Sequence, residues 1–190
     1  LEAYYGVVQT GAIFLPLNVR LTTQDFRYIL NHSEARVLLL EKEFVPLISK
    51  VHSELPSLHQ YLLLDGEPNH SWLHSLGYEQ AIEMCRPEPF PETIQDEDSV
   101  AELFYTSGTT ARPKGVMLTH RNLYLHALSV VFALQNRETD VQLHTIPLFH
   151  ANGWGATHSI TCVGGTHVIL RHFRPKTCLL YTSPSPRDGL

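Results

Sequence analysis

The stretch Tyr105–Asn122, YTSGTTARPKGVMLTHRN, decides how this chain is read. It opens with four hydroxyl side chains (Thr106, Ser107, Thr109, Thr110) around one glycine, Gly108, and closes its turn on Pro113-Lys114-Gly115. Backbone N–H groups of a glycine-containing turn, together with short hydroxyls, can surround a polyphosphate, and a single lysine supplies a point charge without the fixed fork of arginine. The pattern differs from a Walker loop, in which Gly-Lys-Ser/Thr opens a helix. Here Lys114 precedes Gly115 and the apolar run Val116-Met117-Leu118, which reads as a strand. The local expectation is strand, phosphate-binding loop, strand.

Working outward, the segment closely resembles the phosphate-binding signature of the adenylate-forming enzymes: acyl-CoA synthetases, luciferases and peptide-synthetase adenylation domains. The usual form is Tyr-Thr-Ser-Gly-Thr-Thr-Gly-x-Pro-Lys-Gly-Val, and Ala111 stands where glycine is commonest. Two more segments carry the likeness. Pro147-Leu148-Phe149-His150-Ala151-Asn152-Gly153-Trp154-Gly155 is similar to the superfamily's next core motif, and Gly11-Ala12 with Pro16-Leu17-Asn18 and Arg20-Leu21 is similar to an upstream one. The resemblance covers residues 1–176 and implies a partial N-terminal AMP-binding domain. The implied fold is α/β, three-layered, with a mainly parallel sheet. The implied chemistry is that of an acid–thiol ligase using ATP, Mg2+ and coenzyme A. Thr106, Ser107, Gly108, Thr109, Thr110 and Lys114 are then assigned to the phosphates, Thr106 also to the metal ion, and His150 with Phe149 to the carboxylate end. Trp154 reads equally as core or as a wall of the acyl pocket. The His150–Trp154 run looks most like medium- to long-chain fatty-acyl or aryl-acyl ligases. The family's adenine loop, second magnesium-binding acid, ribose-binding aspartate and C-terminal catalytic lysine all come later than Lys176, so the expectation is that this chain alone is inactive. The competing reading is a nucleotide- or phosphate-binding fragment without catalysis.

Composition narrows the classes. The chain has 190 residues, 43% hydrophobic and 17% charged, an ordinary globular balance. A net charge of -5 with scattered basic residues argues against a nucleic-acid surface. No apolar run reaches the ~18 residues of a membrane span, and no signal peptide opens the chain. Cys85, Cys162 and Cys178 are too few and too irregular for a disulfide framework or a CxxC metal site, so a cytoplasmic setting is expected. The partners expected are a small carboxylic acid, ATP and CoA, with oligomeric state open. His70 and His74 have the spacing of a two-histidine metal site, but Pro68, Asn69 and Gly77 favour a loop there, and scattered surface histidine is the preferred reading.

Both ends look unnatural. The chain enters in mid-helix at Leu1 without an initiator Met, and Cys178–Asp188, CLLYTSPSPRD, resembles the conceptual translation of a transposase-type sequencing adapter. Residues 177–190 are therefore set aside as a tail. An incomplete sheet leaves raw edges, so poor solubility is expected.

Between these landmarks the pattern predicts an opening helix with Gly11 beyond its end, a short strand 12–15, and a helix capped by Thr22 and Asp25. A strand 35–40 buried on both faces, a helix 43–54 and a strand 61–64 make a βαβ unit. A helix is expected over 78–85 and a strand over 99–106. A helix over 120–135 carries Leu123, Ala127, Val131 and Leu134 on one stripe. A strand 141–146, a helix 154–162 and a strand 166–170 follow. The acidic run Asp96-Glu97-Asp98 reads as a solvated lead-in.

Overall fold

Two helices begin where a threonine hydroxyl can reach into the first turn. The computed structural model describes residues 1–66, 75–86, 88, 96–106 and 112–171. In it, helix α2 (Thr23–His32) is capped by Thr22, whose hydroxyl accepts from the Asp25 backbone N–H while the Asp25 carboxylate accepts from the Thr22 N–H. Helix α5 (His120–Leu134) opens on the same reciprocal arrangement between Thr119 and Asn122. Each box satisfies two backbone donors that a helix start otherwise leaves to water.

The chain divides into two compact units. The first comprises the described residues of Leu1–Asn18, Thr93–Phe104 and Val116–Leu190; the second comprises those of Val19–Glu92 and Tyr105–Gly115. In the second unit, strand β1 (Val37–Leu40), strand β2 (Gln60–Leu63) and strand β3 (Ser75–Gly77) form a parallel sheet in that order. Between β1 and β2 lies helix α3 (Val45–Ile48), with Pro46 in its first turn where no N–H is needed. Helix α4 (Tyr78–Glu83) follows β3 directly. Phe26, Ile29 and Leu30 of α2, Leu38 and Leu40 of β1, Val45 and Ile48 of α3, and Tyr61 and Leu63 of β2 are buried.

The first unit opens on helix α1 (Glu2–Gln9), and Gly11 follows it with φ +79°, the left-handed conformation a glycine adopts freely. Strand β4 (Val100–Thr106) pairs with strand β5 (Lys114–Thr119), and both strands supply residues to each unit. Phe14 makes an isolated parallel bridge to Glu102 of β4. Strand β6 (Val141–His144) pairs in parallel with strand β7 (Thr166–Ile169), and helix α6 (Ala151–Cys162) lies between them in the chain. Tyr4, Ala101, Phe104 and Leu123 form a buried cluster, with Tyr5, Val8, Phe14, Leu118 and Leu148 packed on it.

The structure is thus mixed α/β with mainly parallel strands, and it departs from the sequence reading at particular places. Val37 is 51% exposed, so β1 alternates instead of being buried on both faces. The helix expected over 43–54 is broken into two 3-10 turns, Lys42–Phe44 and His52–Glu54, around the single turn of α3. Residues 12–15 contribute only the bridge at Phe14. On α5, Leu123 and Ala127 are buried but Leu134 is 69% exposed. The acidic lead-in 96–98 is exposed ahead of β4, as expected, and its Glu97 also binds Arg121 at 2.8 Å and accepts at its carbonyl from the Arg121 backbone N–H. His70, His74, Ser107, Gly108, Thr109, Thr110 and the tail 177–190 lie outside the described residues.

Candidate functional site

Each unit carries one part of the expected machinery. In the second unit, Thr106 closes β4 and Lys114 opens β5, both exposed, at the two ends of the hydroxyl-rich segment. Ser107, Gly108, Thr109 and Thr110 stand between them in sequence, outside the described residues. Beside these shoulders is a cluster that the sequence reading missed. Tyr105 Oη lies 2.7 Å from His32 Nδ1, Tyr28 and His32 have their rings 5.3 Å apart, and the Arg112 guanidinium sits 5.5 Å above the Tyr28 ring. Burial, and then Tyr28, raise the Tyr105 pKa. Its hydroxyl keeps its proton and donates to Nδ1 whenever that nitrogen carries none. The one trace of this cluster in the sequence is the i, i+4 spacing of Tyr28 and His32, which sets two rings on one side of a helix.

In the first unit, His150 is exposed in the turn that starts α6, with its backbone N–H donating to the Pro147 carbonyl at 3.0 Å and its carbonyl accepting from Gly153 at 2.7 Å. The two glycines of this motif are there for room. A Cβ on Gly153 would come within 2.5 Å of the Pro147 carbonyl oxygen, and one on Gly155 within 2.5 Å of the His126 ring of α5. The Tyr4 hydroxyl donates to the Leu148 carbonyl at 2.6 Å, tying α1 to the same motif. Burial, and secondarily Glu102, push the Tyr4 pKa far up, so this donor never ionises in ordinary buffers. Glu102 itself is wholly buried in β4, with one carboxylate oxygen 3.1 Å from His158 Nε2 of α6.

As for a metal ion, no group of three or more His, Cys, Asp or Glu side chains converges among the described residues. Thr106 offers one neutral oxygen. That fits a magnesium ion, which takes most of its ligands from phosphate and water and few from protein. No helix among the described residues is long and apolar enough to cross a membrane.

The fold is mixed α/β with mainly parallel strands, and the motifs follow one another along it in chain order. The chain belongs to the AMP-binding enzyme family, whose sequence model matches residues 1–182. It is 36% identical over 182 residues to a peroxisomal butyrate–CoA ligase of Arabidopsis thaliana, covering 90% of this chain and 32% of that protein. It is 36% identical over 172 residues to a long-chain-fatty-acid–CoA ligase of Thermus thermophilus, covering 89% of this chain and 30% of that protein. A crystal structure of a long-chain-fatty-acid–CoA ligase from Archaeoglobus fulgidus superimposes with a TM-score of 0.81 at 26% identity, over 92% of this chain and 33% of that one. The chain thus spans about a third of the length of the relatives it matches.

Proposed function

We propose that the chain is the phosphate- and carboxylate-binding portion of an ATP-dependent ligase that joins a carboxylic acid to a thiol. In the first step a carboxylate oxygen attacks the α-phosphorus of ATP. The bond from that phosphorus to the bridging oxygen breaks, and pyrophosphate leaves with the electron pair. In the second, the sulfur of coenzyme A attacks the acyl carbon, AMP leaves, and the thiol proton passes to solvent.

The first step brings a weak nucleophile to a polyanion, so its barrier falls through charge neutralisation and positioning. Lys114 supplies the cation. The hydroxyls of Thr106, Ser107, Thr109 and Thr110 and the backbone N–H of Gly108 supply donors. Thr106 also gives an oxygen to Mg2+, which when bound neutralises phosphate charge. His150 and Phe149 border the carboxylate. The observation that carries this reading is the pair Thr106 and Lys114, exposed on paired strands at the two ends of a hydroxyl-rich segment. Medium- to long-chain fatty acids are the proposed substrates, supported by the His150–Trp154 run and by the fatty-acid ligases among the relatives. The proposed setting is cytoplasmic. A second reading, phosphate binding without catalysis, is favoured for the isolated chain because it spans only about a third of its relatives.

The test is carboxylate-dependent pyrophosphate release across a series from butyrate to palmitate. The 190-residue chain is expected to give none above a blank. Within its complete reading frame it is expected to release pyrophosphate and form acyl-CoA, with a maximum among the medium and long chains. Absence of carboxylate dependence in the complete protein contradicts the ligase assignment.

A further inference from the structure

Four residues of the second unit flank the phosphate-binding segment without being among those assigned to phosphate. Tyr28 and His32 are one helical turn apart on α2, so their side chains leave the same side of the helix. Each takes hold of a different end of the segment. His32 Nδ1 is 2.7 Å from the hydroxyl of Tyr105, and the two rings meet edge-on at 5.8 Å. On the other side, the Arg112 guanidinium lies 5.5 Å from the centre of the Tyr28 ring, within reach of a cation–π attraction. Tyr105 immediately precedes Thr106, and Arg112 stands two residues before Lys114. The two rings of α2 also touch each other, at 5.3 Å, so the two holds share one support.

We infer that α2 is a brace for the phosphate-binding segment, and that Tyr28, His32, Tyr105 and Arg112 are positioning residues that fix its two ends. This rests on the phosphate-binding role proposed above. A polyphosphate can be gripped tightly only if the groups that grip it are already in place, because ordering them on binding subtracts from affinity. Thr106 and Lys114 are the two end residues of that grip, and each sits within two residues of a side chain held by α2. Arg112 is spent on an aromatic face. A flat guanidinium stacks there, whereas the compact, strongly hydrated ammonium of a lysine does so less well. Its cation therefore acts on the phosphates through the geometry of the segment, and Lys114 remains the one that makes the contact.

The experiment is calorimetric titration of the 190-residue chain with MgATP, alongside thermal unfolding of every variant. Tyr28→Phe keeps the ring and is expected to bind as the parent does. Tyr28→Leu and Arg112→Leu are each expected to weaken binding about two- to fivefold, the size of an exposed cation–π contact. The double variant should be no weaker than either single one, because both remove the same interaction. Tyr105→Phe, which loses only the hydroxyl that meets His32, is expected to weaken binding about two- to tenfold. Melting temperatures should stay together throughout. If Lys114→Ala weakens binding about 10- to 100-fold while Tyr28→Leu, Arg112→Leu and Tyr105→Phe bind normally, the brace is refuted and the phosphate site stands. If affinity falls only in step with melting temperature, the four residues are merely structural and the inference is again refuted. If the parent chain binds no MgATP, or Lys114→Ala binds it equally well, the phosphate-site reading falls and the brace falls with it.

Discussion

At Gly153 and Gly155 a single added methyl group would collide with what surrounds it. The obstacle at Gly153 is the backbone carbonyl of Pro147, which the chain cannot swing aside, and at Gly155 it is the His126 side chain, which can rotate. Overpacking of this kind costs about 1–3 kcal/mol. Gly153→Ala is therefore expected at the upper end and Gly155→Ala at the lower, measured by urea unfolding, and the reverse order would contradict the packing described for α6. The same scale holds a residue that no pattern announces. Glu102 is fully buried, His158 holds one of its carboxylate oxygens, and the other has no hydrogen-bond partner among the described residues. The positions are 56 residues apart, so nothing local connects them.

The elements show where sequence sufficed. Thr22 and Asp25 announce the start of α2 three residues apart, because a capping box is a local interaction, and the structure realises it. The βαβ order of β1 and β2 was likewise legible from two apolar runs, since such runs are the mark of parallel strands. Exposure of Val37 was not legible, because which face of a strand meets solvent depends on what the rest of the chain lays over it. Strand β3 has only three residues, Ser75–Gly77, too few to show a period. Thr106 and Lys114 can be proposed from sequence because their motif is contiguous, and the structure sets them at the facing ends of β4 and β5 in the chain. The His32–Tyr105 contact spans 73 residues, and only the fold brings its halves together.

The pairing of β6 with β7 sets two histidines side by side. His144 Nε2 and His167 Nδ1 are 2.9 Å apart in stacked rings, so both cannot be protonated together without repulsion. The His144 pKa is lowered by burial first and then by His167. Burial leads for His167 as well, and the chain's amino terminus adds to both. Unfolding restores the ordinary value of about 6.5, so just below that pH the unfolded chain binds more protons than the folded one. The contribution to stability is complete above about pH 6.5 and is lost as pH falls through it toward the lowered folded values. Urea midpoints should drop between about pH 7.5 and pH 5.5, and drop less in His144→Gln. An equal drop in the variant would contradict this account of the pair.

For the whole molecule, the chain spans about a third of the length of its relatives, and large apolar side chains stand in solvent, with Phe132 88% and Met117 67% exposed. Exposed apolar surface on this scale favours association or poor solubility, so binding is best measured at low protein concentration. The central claim is that Lys114, with the hydroxyls before it, grips a polyphosphate. The most direct test compares MgATP with AMP on the parent chain and on Lys114→Ala, by calorimetry. Loss of a charge-assisted contact to phosphate is expected to weaken MgATP about 10- to 100-fold. AMP, which lacks the pyrophosphate, should be affected far less. Equal affinity of both proteins for MgATP, or equal weakening toward both nucleotides, would contradict the assignment of Lys114 to the phosphates.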